Sequence, residues 1–576
     1  MVSLIGQLML GAMASARRAA EVAVPVAMLA VASSAVAGCA DESQPEYWIK
    51  KLEDPVSRSA AARRLGEFYK DAMTKAKDNR EDPAVKELLG KIVGPMSKAY
   101  VQYDLDEKTR GELLKSLADT RDPGAKDAII KAIKDFAAGK ATADEQKNAC
   151  AYVKALKLKE ASGPLLDAFL KVKITDEKTG PAGKPTRDAM MAVPDAAWKA
   201  KLIEIINRPL DPNDKATAQS ENFLQTVAAE LLGELHAADA FKPLFKTLIV
   251  ANKQATQIPG TALVAIVKMG KDAVQPAVDV LTGKDTEIVD LAKKEAGNDA
   301  TQAMAYINQA ASVLGGIGRT EAMQPIIDMI GKKEVSDNNR VVLAAALPNL
   351  PAKAEAVQAI EKAFEAVDAK FVIPANQVPG RRYIADAATK MMDNSLVPWG
   401  LKQALAAKGE DQELTQQKLL ELVLKVMKKE QIEEAKKVFE TKDVADPVSA
   451  KNFKDTVDLL NACDAKVECY LQKIEDKETN EAKPFIGIKS AYMVAIIGGA
   501  AKKPDLLKAL PKIKNPGVRG ATLLAIAYLS PVGDPKVADE LQKIMDDNTA
   551  KLDAEQAGKA NSGLRDIVLI LRARAS

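Results

Sequence analysis

The sequence contains an internal repeat, and this repeat limits the chain to a small set of folds. Val227–Leu235 reads VAAELLGEL and aligns without a gap with Gln309–Ile317, which reads QAASVLGGI. The following segments, Ala240–Phe245 and Ala322–Ile327, align at the same offset of 82 residues, and each has a proline before an apolar stretch. Each copy therefore runs from alanines through an apolar pair and a glycine to a short turn and a second apolar segment.

Partial copies of this unit recur along the chain. They lie at Ala60–Phe68, Ala161–Leu166, Lys268–Ala277, Ile496–Ala500 and Leu506–Leu510. Pro243, Pro276 and Pro325 are 33 and 49 residues apart, which indicates a unit of about 40 residues with loops of variable length.

The unit has the features of two consecutive helices. Proline is favoured at the first position of a helix, where its missing N–H is not needed. A glycine near the end of the first helix tolerates positive φ, and we expect it to let the chain turn. Apolar residues at helical spacing give each helix one buried face. A single pair cannot bury that face, so neighbouring pairs are expected to stack.

These segments resemble the HEAT-repeat family, with the signature A-A-x-x-[LV]-L-G-x-[LI], a turn, and P-[LI]-[FI]. The resemblance implies an all-α fold, a HEAT-like α-solenoid of stacked antiparallel helix pairs over residues 39–576. It also implies a long concave surface that holds other macromolecules. A tetratricopeptide array, with a stricter 34-residue period, and separate helical bundles are the alternative folds.

Composition supports helices and argues against a nucleic-acid partner. Hydrophobic residues make up 47% of the chain but aromatic residues only 4%, so the core must consist of Ala, Leu, Ile and Val. The formal net charge is +3, and lysines alternate with acidic residues as on a solvated helical surface. This charge is too small to provide the basic field that recruits DNA or RNA.

The N-terminal segment predicts export and a lipid anchor. Arg17 and Arg18 precede an apolar run from Val22 to Ala37, the layout of a secretory signal. The run ends in Val36-Ala37-Gly38-Cys39, which resembles the lipobox of bacterial lipoproteins.

The resemblance implies a signal peptide over residues 1–38, with the true start at Met1 or Met13. Cleavage after Val36-Ala37-Gly38 would leave a lipidated Cys39 as the first residue. A transmembrane helix is one alternative, although the run is short against the roughly 20 residues that a span needs. A plain secretory signal is the other.

A lipid anchor would place the chain in the bacterial cell envelope. Residue 40 is Ala rather than the Asp that often marks inner-membrane retention, so we expect the outer membrane rather than the inner one. Stable anchoring takes about two acyl chains.

Cys463 and Cys469 are predicted to form a disulfide. On one straight helix their Cα atoms would be about 9 Å apart, beyond the roughly 7 Å limit for a bridge. The repeat pattern places a turn between them, and an oxidising compartment would favour oxidation. Two free thiols are the alternative. Cys150 is interpreted as a small buried helix residue.

The residues offer little for catalysis. The one histidine, His236, falls in the turn of the clearest repeat and aligns with Gly318, so it is interpreted as a surface turn residue. Cysteines are few and scattered, and no calcium loop is present. We therefore predict no catalytic residues, no metal site, no cofactor and no enzymatic activity.

Binding residues can be proposed only from residue type, because aromatic and arginine side chains are the best anchors at interfaces. Arg381, Arg382 and Tyr383 follow a Pro/Gly loop and are the binding candidates. Trp48, Trp198 and Trp399 are further candidates, for which packing between helices is the favoured interpretation.

The function predicted from the sequence is a non-catalytic, lipid-anchored envelope protein that docks or scaffolds partner proteins of the envelope. The alternatives are a periplasmic carrier, with a lipid or other small ligand inside the superhelix, and an accessory subunit of an envelope enzyme.

Overall fold

The computed structural model describes residues 41–209, 214–250, 258–299, 301–351, 353–441, 444 and 446–576. Their regular structure consists of helices and one short hairpin. Up to residue 299 the helices are α1 (Pro45–Lys51), α2 (Arg58–Lys75), α3 (Pro83–Gln102), α4 (Glu107–Thr120), α5 (Lys126–Ala137), α6 (Ala143–Leu156), α7 (Ser162–Lys171), α8 (Gly183–Ala192), α9 (Lys199–Ile206), α10 (Lys215–Glu234), α11 (Phe241–Ile249), α12 (Ile258–Lys268), α13 (Val274–Leu281) and α14 (Thr286–Ala296).

The remaining described residues continue the same alternation of helices and short turns. Their helices are α15 (Ala305–Ile317), α16 (Met323–Gly331), α17 (Asp337–Ala346), α18 (Lys353–Ala366), α19 (Gly380–Lys390), α20 (Leu396–Ala406), α21 (Glu413–Val426), α22 (Ile432–Phe439), α23 (Pro447–Cys463), α24 (Val467–Glu475), α25 (Lys477–Glu481), α26 (Pro484–Gly498), α27 (Lys503–Ala509), α28 (Pro516–Tyr528), α29 (Pro535–Lys551), α30 (Ala554–Ala560) and α31 (Leu564–Ala575). Strands β1 (Val372–Ile373) and β2 (Val378–Pro379) pair antiparallel between α18 and α19, with Val372 opposite Pro379.

The helices form antiparallel pairs that stack in chain order, which confirms the predicted all-α, HEAT-like solenoid. Each pair consists of two helices that follow one another in the chain across a short connection, and the pairs are α2–α3, α4–α5, α6–α7, α8–α9, α10–α11, α12–α13, α15–α16, α17–α18, α19–α20, α21–α22, α23–α24, α26–α27 and α28–α29. The first helix of a pair generally packs on the first helix of the next. One cluster of buried apolar side chains runs from Leu52 to Ala573.

The repeat glycine does not form the turn, as was predicted, but has another structural role. Gly233 and Gly315 lie inside α10 and α15 and have no positive φ. A Cβ on Gly233 would lie 2.8 Å from the Cα of Ala265 in α12, and one on Gly315 would lie 2.9 Å from the Cβ of Ala346 in α17. The glycine therefore lets successive first helices pack backbone to backbone.

The turn depends on the residue three positions later. His236 has φ 46° and Gly318 has φ 70°, so aligned residues adopt the same left-handed conformation. The exposed ring of His236 reaches the next unit, where its Nδ1 contacts the carbonyl oxygen of Lys268.

The repeat proline is also displaced from its predicted position. Pro164, Pro243, Pro276 and Pro325 are each the third residue of a second helix, and a single 3-10 turn precedes each of these helices. The proline thus occupies the first α-helical turn, where backbone N–H groups have no partner within the helix.

Charged side chains join successive units at spacings close to the repeat length. Arg110 makes a bidentate pair with Glu145 (Nε to Oε1 2.5 Å, Nη2 to Oε2 3.0 Å), and Arg187 pairs in the same way with Glu230. Paired forks of this type are geometrically specific, so they fix the register between stacked units.

In most units successive first helices pack against each other more extensively than successive second helices do, so the array curves towards its first helices. From α12 onwards the curvature brings the last helix back onto the chain. Helix α31 packs against α28 and α29 and also against α12 and α15. The open concave surface implied by the family resemblance is therefore interrupted between α12 and α31.

Arg574 holds this closure. The residue is 7% exposed, and its guanidinium donates to the carbonyl oxygens of Ala527 (2.8 Å), Ser530 (3.0 Å) and Asn349 (2.7 Å). Arg319 donates in turn to the carbonyl oxygens of Arg574 (3.0 Å) and Ser576 (2.9 Å). These bonds join residues up to 257 positions apart.

Candidate docking site

The three binding candidates lie together at the start of α19 but project into different surroundings. Gly380, the first residue of α19, has no Cβ to clash with the ring of Phe371, which would lie 2.6 Å away. This close approach lets the hairpin fold back, and the N–H of Gly380 donates to the carbonyl oxygen of Phe371 (2.9 Å).

Arg381 points towards α18 and α20. Its Nε donates to the carbonyl oxygen of Val367, which follows α18 (2.9 Å), and its guanidinium carbon lies 5.0 Å from the centre of the Phe364 ring. A cation next to the last carbonyls of a helix is favourable. The side chain lines a cavity of about 270 Å³, and among the described residues its Nη1 and Nη2 atoms have no hydrogen-bond partner.

This cavity, here called the Arg381 cavity, has an apolar floor and a charged rim. Phe364 forms part of its floor and packs edge-on against Trp399, with ring centres 5.2 Å apart. Lys370, Lys408 and Asp411 also line it.

Gln412 braces the wall of the cavity by donating from Nε2 to the carbonyl oxygen of Ala369 (2.6 Å). Three cations and one carboxylate line the cavity, and the carboxylates of Asp368, Asp337 and Glu365 also act on Arg381, so the cavity lies in surroundings of mixed charge. Burial lowers the pKa of Arg381, against the opposing effect of Asp368, Asp337 and Glu365. The side chain nonetheless stays charged at neutral pH.

Arg382 and Tyr383 do not join Arg381 at the cavity. Tyr383 accepts a hydrogen bond at its hydroxyl from Nδ2 of Asn376 in the hairpin (2.6 Å). Arg382 lies one turn before Asp386, and among the described residues its side chain makes no hydrogen bond or ion pair. The structure thus separates the three candidates, and of the three it is Arg381 that lines this cavity.

A second polar cluster runs across α19, α21 and α26. Asp386 accepts from Lys390 (2.8 Å) and Lys418 (2.7 Å), Lys418 also pairs with Glu421 (3.0 Å), and Glu421 pairs with Lys425. Nζ of Lys425 lies 5.5 Å from the ring centre of Tyr492. We call this series the ion-pair ladder. Every charge in it has a partner, so it is a link between units rather than an empty site.

The ladder shifts the ionisation of its members. Burial alone would raise the pKa of Asp386, but Lys390 and Lys418 outweigh burial and lower it to about 2. The same competition lowers the pKa of Glu421, through Lys425 and Lys418. Burial raises the pKa of Tyr492.

Lys489 is buried beside the ladder. Its Nζ donates to the carbonyl oxygens of Lys425 (3.1 Å) and Met427 (2.5 Å) at the end of α21, and burial lowers its pKa well below the ordinary value. Lys489 therefore caps the C-terminus of α21 from the interior of the protein. No sequence motif predicts this role.

Two open grooves are lined, like the Arg381 cavity, by both apolar and charged side chains. One, of about 680 Å³, lies between α27 and α29, with Leu507, Val537 and Ile544 among charged residues. The other, of about 510 Å³, lies between α22 and α23 and contains Ile432, Phe453 and Val457. Neither groove could be predicted from the sequence, because a groove depends on how far two helices separate.

The cysteines and tryptophans have clear positions. Cys463 ends α23 and Cys469 lies in α24; their Cα atoms are 5.4 Å apart and the structure joins their Sγ atoms. Oxidation in the purified protein stays a prediction. Trp198 and Trp399 are buried between helices, whereas Trp48 is half-buried and donates to the carbonyl oxygen of Glu42 (2.8 Å).

Cys150 is buried, as interpreted from the sequence, and burial raises the pKa of its thiol to about 12. The predicted lipidation and cleavage residues Val36, Ala37, Gly38 and Cys39 lie outside the described residues.

Within the described ranges, no group of three or more His, Cys, Asp or Glu side chains could hold a metal ion. In the same ranges, no helix combines the length and apolarity that a membrane span requires.

No protein-family model and no curated protein matches the sequence. Among solved structures, a Kap121p mutant is similar at 11% identity and a TM-score of 0.37, over 91% of this chain and 69% of that one. A structure of Kap95p with RanGDP is similar at 11% identity and a TM-score of 0.39, over 92% of this chain and 76% of that one. A homology model of the AP-3 complex is similar at 14% identity and a TM-score of 0.25, over 92% of each chain. Likenesses this low carry no inference about partners.

Proposed function

We propose that this chain is a non-catalytic envelope protein, anchored by a lipid on Cys39, whose helical repeats dock partner proteins. The observation that carries the docking role is the recurrence of open surface depressions with apolar floors and charged rims, at α18–α20, α22–α23 and α27–α29. Apolar centres surrounded by polar rims are the usual anatomy of protein interfaces.

The array is suited to this role because its depressions are held by stacked units. The groove between α27 and α29 is bridged at one end by Lys503 and Asp534, which form an ion pair of 2.5 Å. Most protein interfaces that are organised before binding move little when the partner arrives. Several fixed depressions on one array would let it hold more than one partner segment.

The docking role is tested by photocrosslinking in intact cells. A photoreactive residue replaces Lys543 in the α27–α29 groove, Lys454 in the α22–α23 groove, or the exposed Ser312 on α15 as a control. We expect one or more defined protein adducts from the groove positions and none from Ser312. Equal adducts from all three positions, or no adducts at all, would contradict docking through the grooves.

The anchor and the compartment need their own tests. Intact-mass measurement should find a mature chain that begins at Cys39 and carries acyl groups, and Cys39→Ser should release the protein from the membrane. The placement fails if the mature wild-type chain keeps residues 1–38 and is soluble. Thiol labelling of denatured, unreduced protein should miss Cys463 and Cys469, whereas labelling of both would contradict an oxidising compartment.

A further inference from the structure

The end of α31 lies against turns from two units that are far away in the chain. Gly270 and Gly318 have φ of 59° and 70°. A Cβ on Gly270 would lie 2.8 Å from the Cβ of Ser576, and one on Gly318 would lie 2.7 Å from Nε of Arg574. Because both turns lack a side chain, the last turn of α31 fits against them. We call the surface that receives it the socket, formed by Gly270, Gly318, Arg319 and Asn349.

The socket binds α31 largely through the backbone at the end of the helix. Arg319 donates from Nη1 to the carbonyl oxygens of Arg574 (3.0 Å) and Ser576 (2.9 Å). The last carbonyl groups of a helix have no partner within the helix, and a cation beside them is favourable. The carbonyl oxygen of Asn349 accepts from Nη2 of Arg574 (2.7 Å). The socket therefore recognises a helix end that carries an arginine in its last turn.

The contact between α31 and the socket lacks the paired charges that join some neighbouring units. Arg187 and Glu230, in α8 and α10, form a bidentate pair with distances of 2.6 and 2.8 Å. Arg574 is buried, and among the described residues its Nε and the Oγ of Ser530 have no hydrogen-bond partner. A buried polar group without a partner opposes folding, so the closure is less favourable than its hydrogen bonds alone indicate.

Helix α31 has two separate sets of neighbours. On one side it packs against α28 and α29, which precede it in the array, and on the other against α12 and α15. In a solenoid each unit is held by its neighbours, and the overall curvature is the sum of small rotations between units. A slight straightening between α15 and α28 would therefore separate α31 from the socket while both surfaces keep their structure.

We propose that the socket of one molecule binds the end of α31 from a second copy of this chain, so that two copies pair by exchanging the contact that closes each of them. The second copy offers the same carbonyl groups and the same arginine, so each socket regains the hydrogen bonds of the closed monomer. Within one chain, α31 and the socket meet at an effective concentration set by the units between them. The closed monomer therefore predominates in dilute solution, and pairing increases where copies are crowded. The proposal is independent of the lipid anchor and of docking by other proteins.

The test mixes isotopically light and heavy full chains in solution. A photoreactive residue replaces Lys271 in the light chain, at an exposed position next to Gly270. Mass spectrometry of the adducts then distinguishes α31 of the same chain from α31 of another chain. We expect mixed-isotope adducts with α31 that increase with chain concentration. A photoreactive residue in place of Lys98, which is exposed on α3, is the control and should give no adduct with α31.

Two variants separate the roles of the two surfaces. Arg574→Ala removes the arginine of α31 but leaves the socket, whereas Arg319→Ala removes the donor of the socket but leaves α31. Each variant alone should lose most of the mixed-isotope adducts. Light Arg574→Ala with the probe, mixed with heavy Arg319→Ala, should recover them several-fold, because an intact socket then meets an intact α31. Arg572→Ala, which changes an exposed side chain of α31 outside the socket contact, should behave like wild type.

Four results would overturn the proposal. The first is that α31 adducts form only within one chain in every mixture. The second is that Arg574→Ala and Arg319→Ala leave the mixed-isotope adducts unchanged, since such adducts would come from another contact. The third is that the mixture of the two variants fails to recover them. The fourth is that Lys271 gives no α31 adduct of either kind, which would contradict the closure itself. The crosslinking in intact cells tests docking of other proteins separately.

Discussion

The region from α1 to α11 and the region from α12 to α31 are built from the same repeat but are closed differently. Among the described residues of the first region, hydrogen bonds span at most the 53 positions from Ser59 to Glu112. In the second region α31 returns to α12 and α15, and Asn349 and Arg574 bond across 225 positions.

One aligned position shows how the two regions diverge. In the first region His236 fills the turn and contacts the next unit. In the second, a Cβ on the equivalent Gly318 would lie 2.7 Å from Nε of Arg574 and 2.7 Å from the carbonyl oxygen of Asn349. The missing side chain leaves the space that Arg574 occupies. A repeat array can thus change from open stacking to ring closure through single residues at its turns.

Arg574→Ala should have the largest effect on this difference. It removes three hydrogen bonds to buried carbonyls, and bonds to charged donors contribute about 1.5–3 kcal/mol each, so we expect a loss of about 3 kcal/mol or more. Hydrogen exchange should accelerate in α12, α15 and α31 and stay unchanged in α2–α9. Arg572→Ala, which removes an exposed pair with Asp539, is the control. Uniform acceleration of hydrogen exchange along the chain would contradict a local role of Arg574 in holding α31 to α12 and α15.

Exchanging the two turn residues should break the comparison directly. Gly318→His puts a side chain into the space of Arg574, so we expect about 2–4 kcal/mol of destabilisation and faster exchange in α31. His236→Gly should cost less than about 1 kcal/mol, because that side chain is exposed. Equal effects of the two substitutions in thermal unfolding would mean that Gly318 is not specific to closure.

Alanine at the repeat glycines should disturb both regions to a smaller extent. A methyl group on Gly233 or Gly315 meets the next first helix at 2.8 or 2.9 Å, and such overpacking costs about 1–3 kcal/mol. The Gly233→Ala effect should stay near α10 and α12, whereas Gly315→Ala should also loosen α31. Gly90→Ala, with nothing near its Cβ, should raise stability by up to about 1 kcal/mol. Two destabilised variants with the same exchange pattern would remove the distinction between the regions.

The ion-pair ladder predicts the smallest effect and a pH dependence. Folding lowers the pKa of Asp386 from 3.8 to about 2, so in this interval the folded chain binds fewer protons than the unfolded one. The contribution of Asp386 is complete above the unfolded pKa and is lost as the pH falls towards 2.

Asp386→Asn should therefore cost about 1–2 kcal/mol at pH 7, and its difference from wild type should shrink in acid, as measured by denaturant unfolding at several pH values. Glu87→Gln, in an exposed pair with Lys91, should change stability by less than about 1 kcal/mol. A pH-independent difference for Asp386→Asn would show that its charge is not the cause.

The helix pairs and their order could be predicted from the sequence, but the roles of individual residues in them could not. The repeat glycine and proline marked the correct places, yet both predicted reasons were wrong. The glycine allows close packing of neighbouring helices, and the proline takes the third position after a 3-10 turn. Both reasons depend on a neighbouring segment, which a local pattern does not identify.

The candidate site was predictable to the same limited degree. Residue type pointed to Arg381, Arg382 and Tyr383, but successive residues of a helix face different directions, so only Arg381 reaches the cavity. Lys489 and Arg574 gave no signal, because an isolated lysine or arginine in a helical segment normally belongs to the solvated surface.

The sequence by itself determined that the chain makes stacked helix pairs, since the periodicity of apolar residues and the repeated turn are local properties. Only the tertiary structure decided that the array curves until α31 meets α12 and α15, and that Arg381 lines a cavity. Curvature is the sum of small rotations over many units, and burial of a charge depends on which distant carbonyls surround it. Neither quantity is contained in any single segment of the chain.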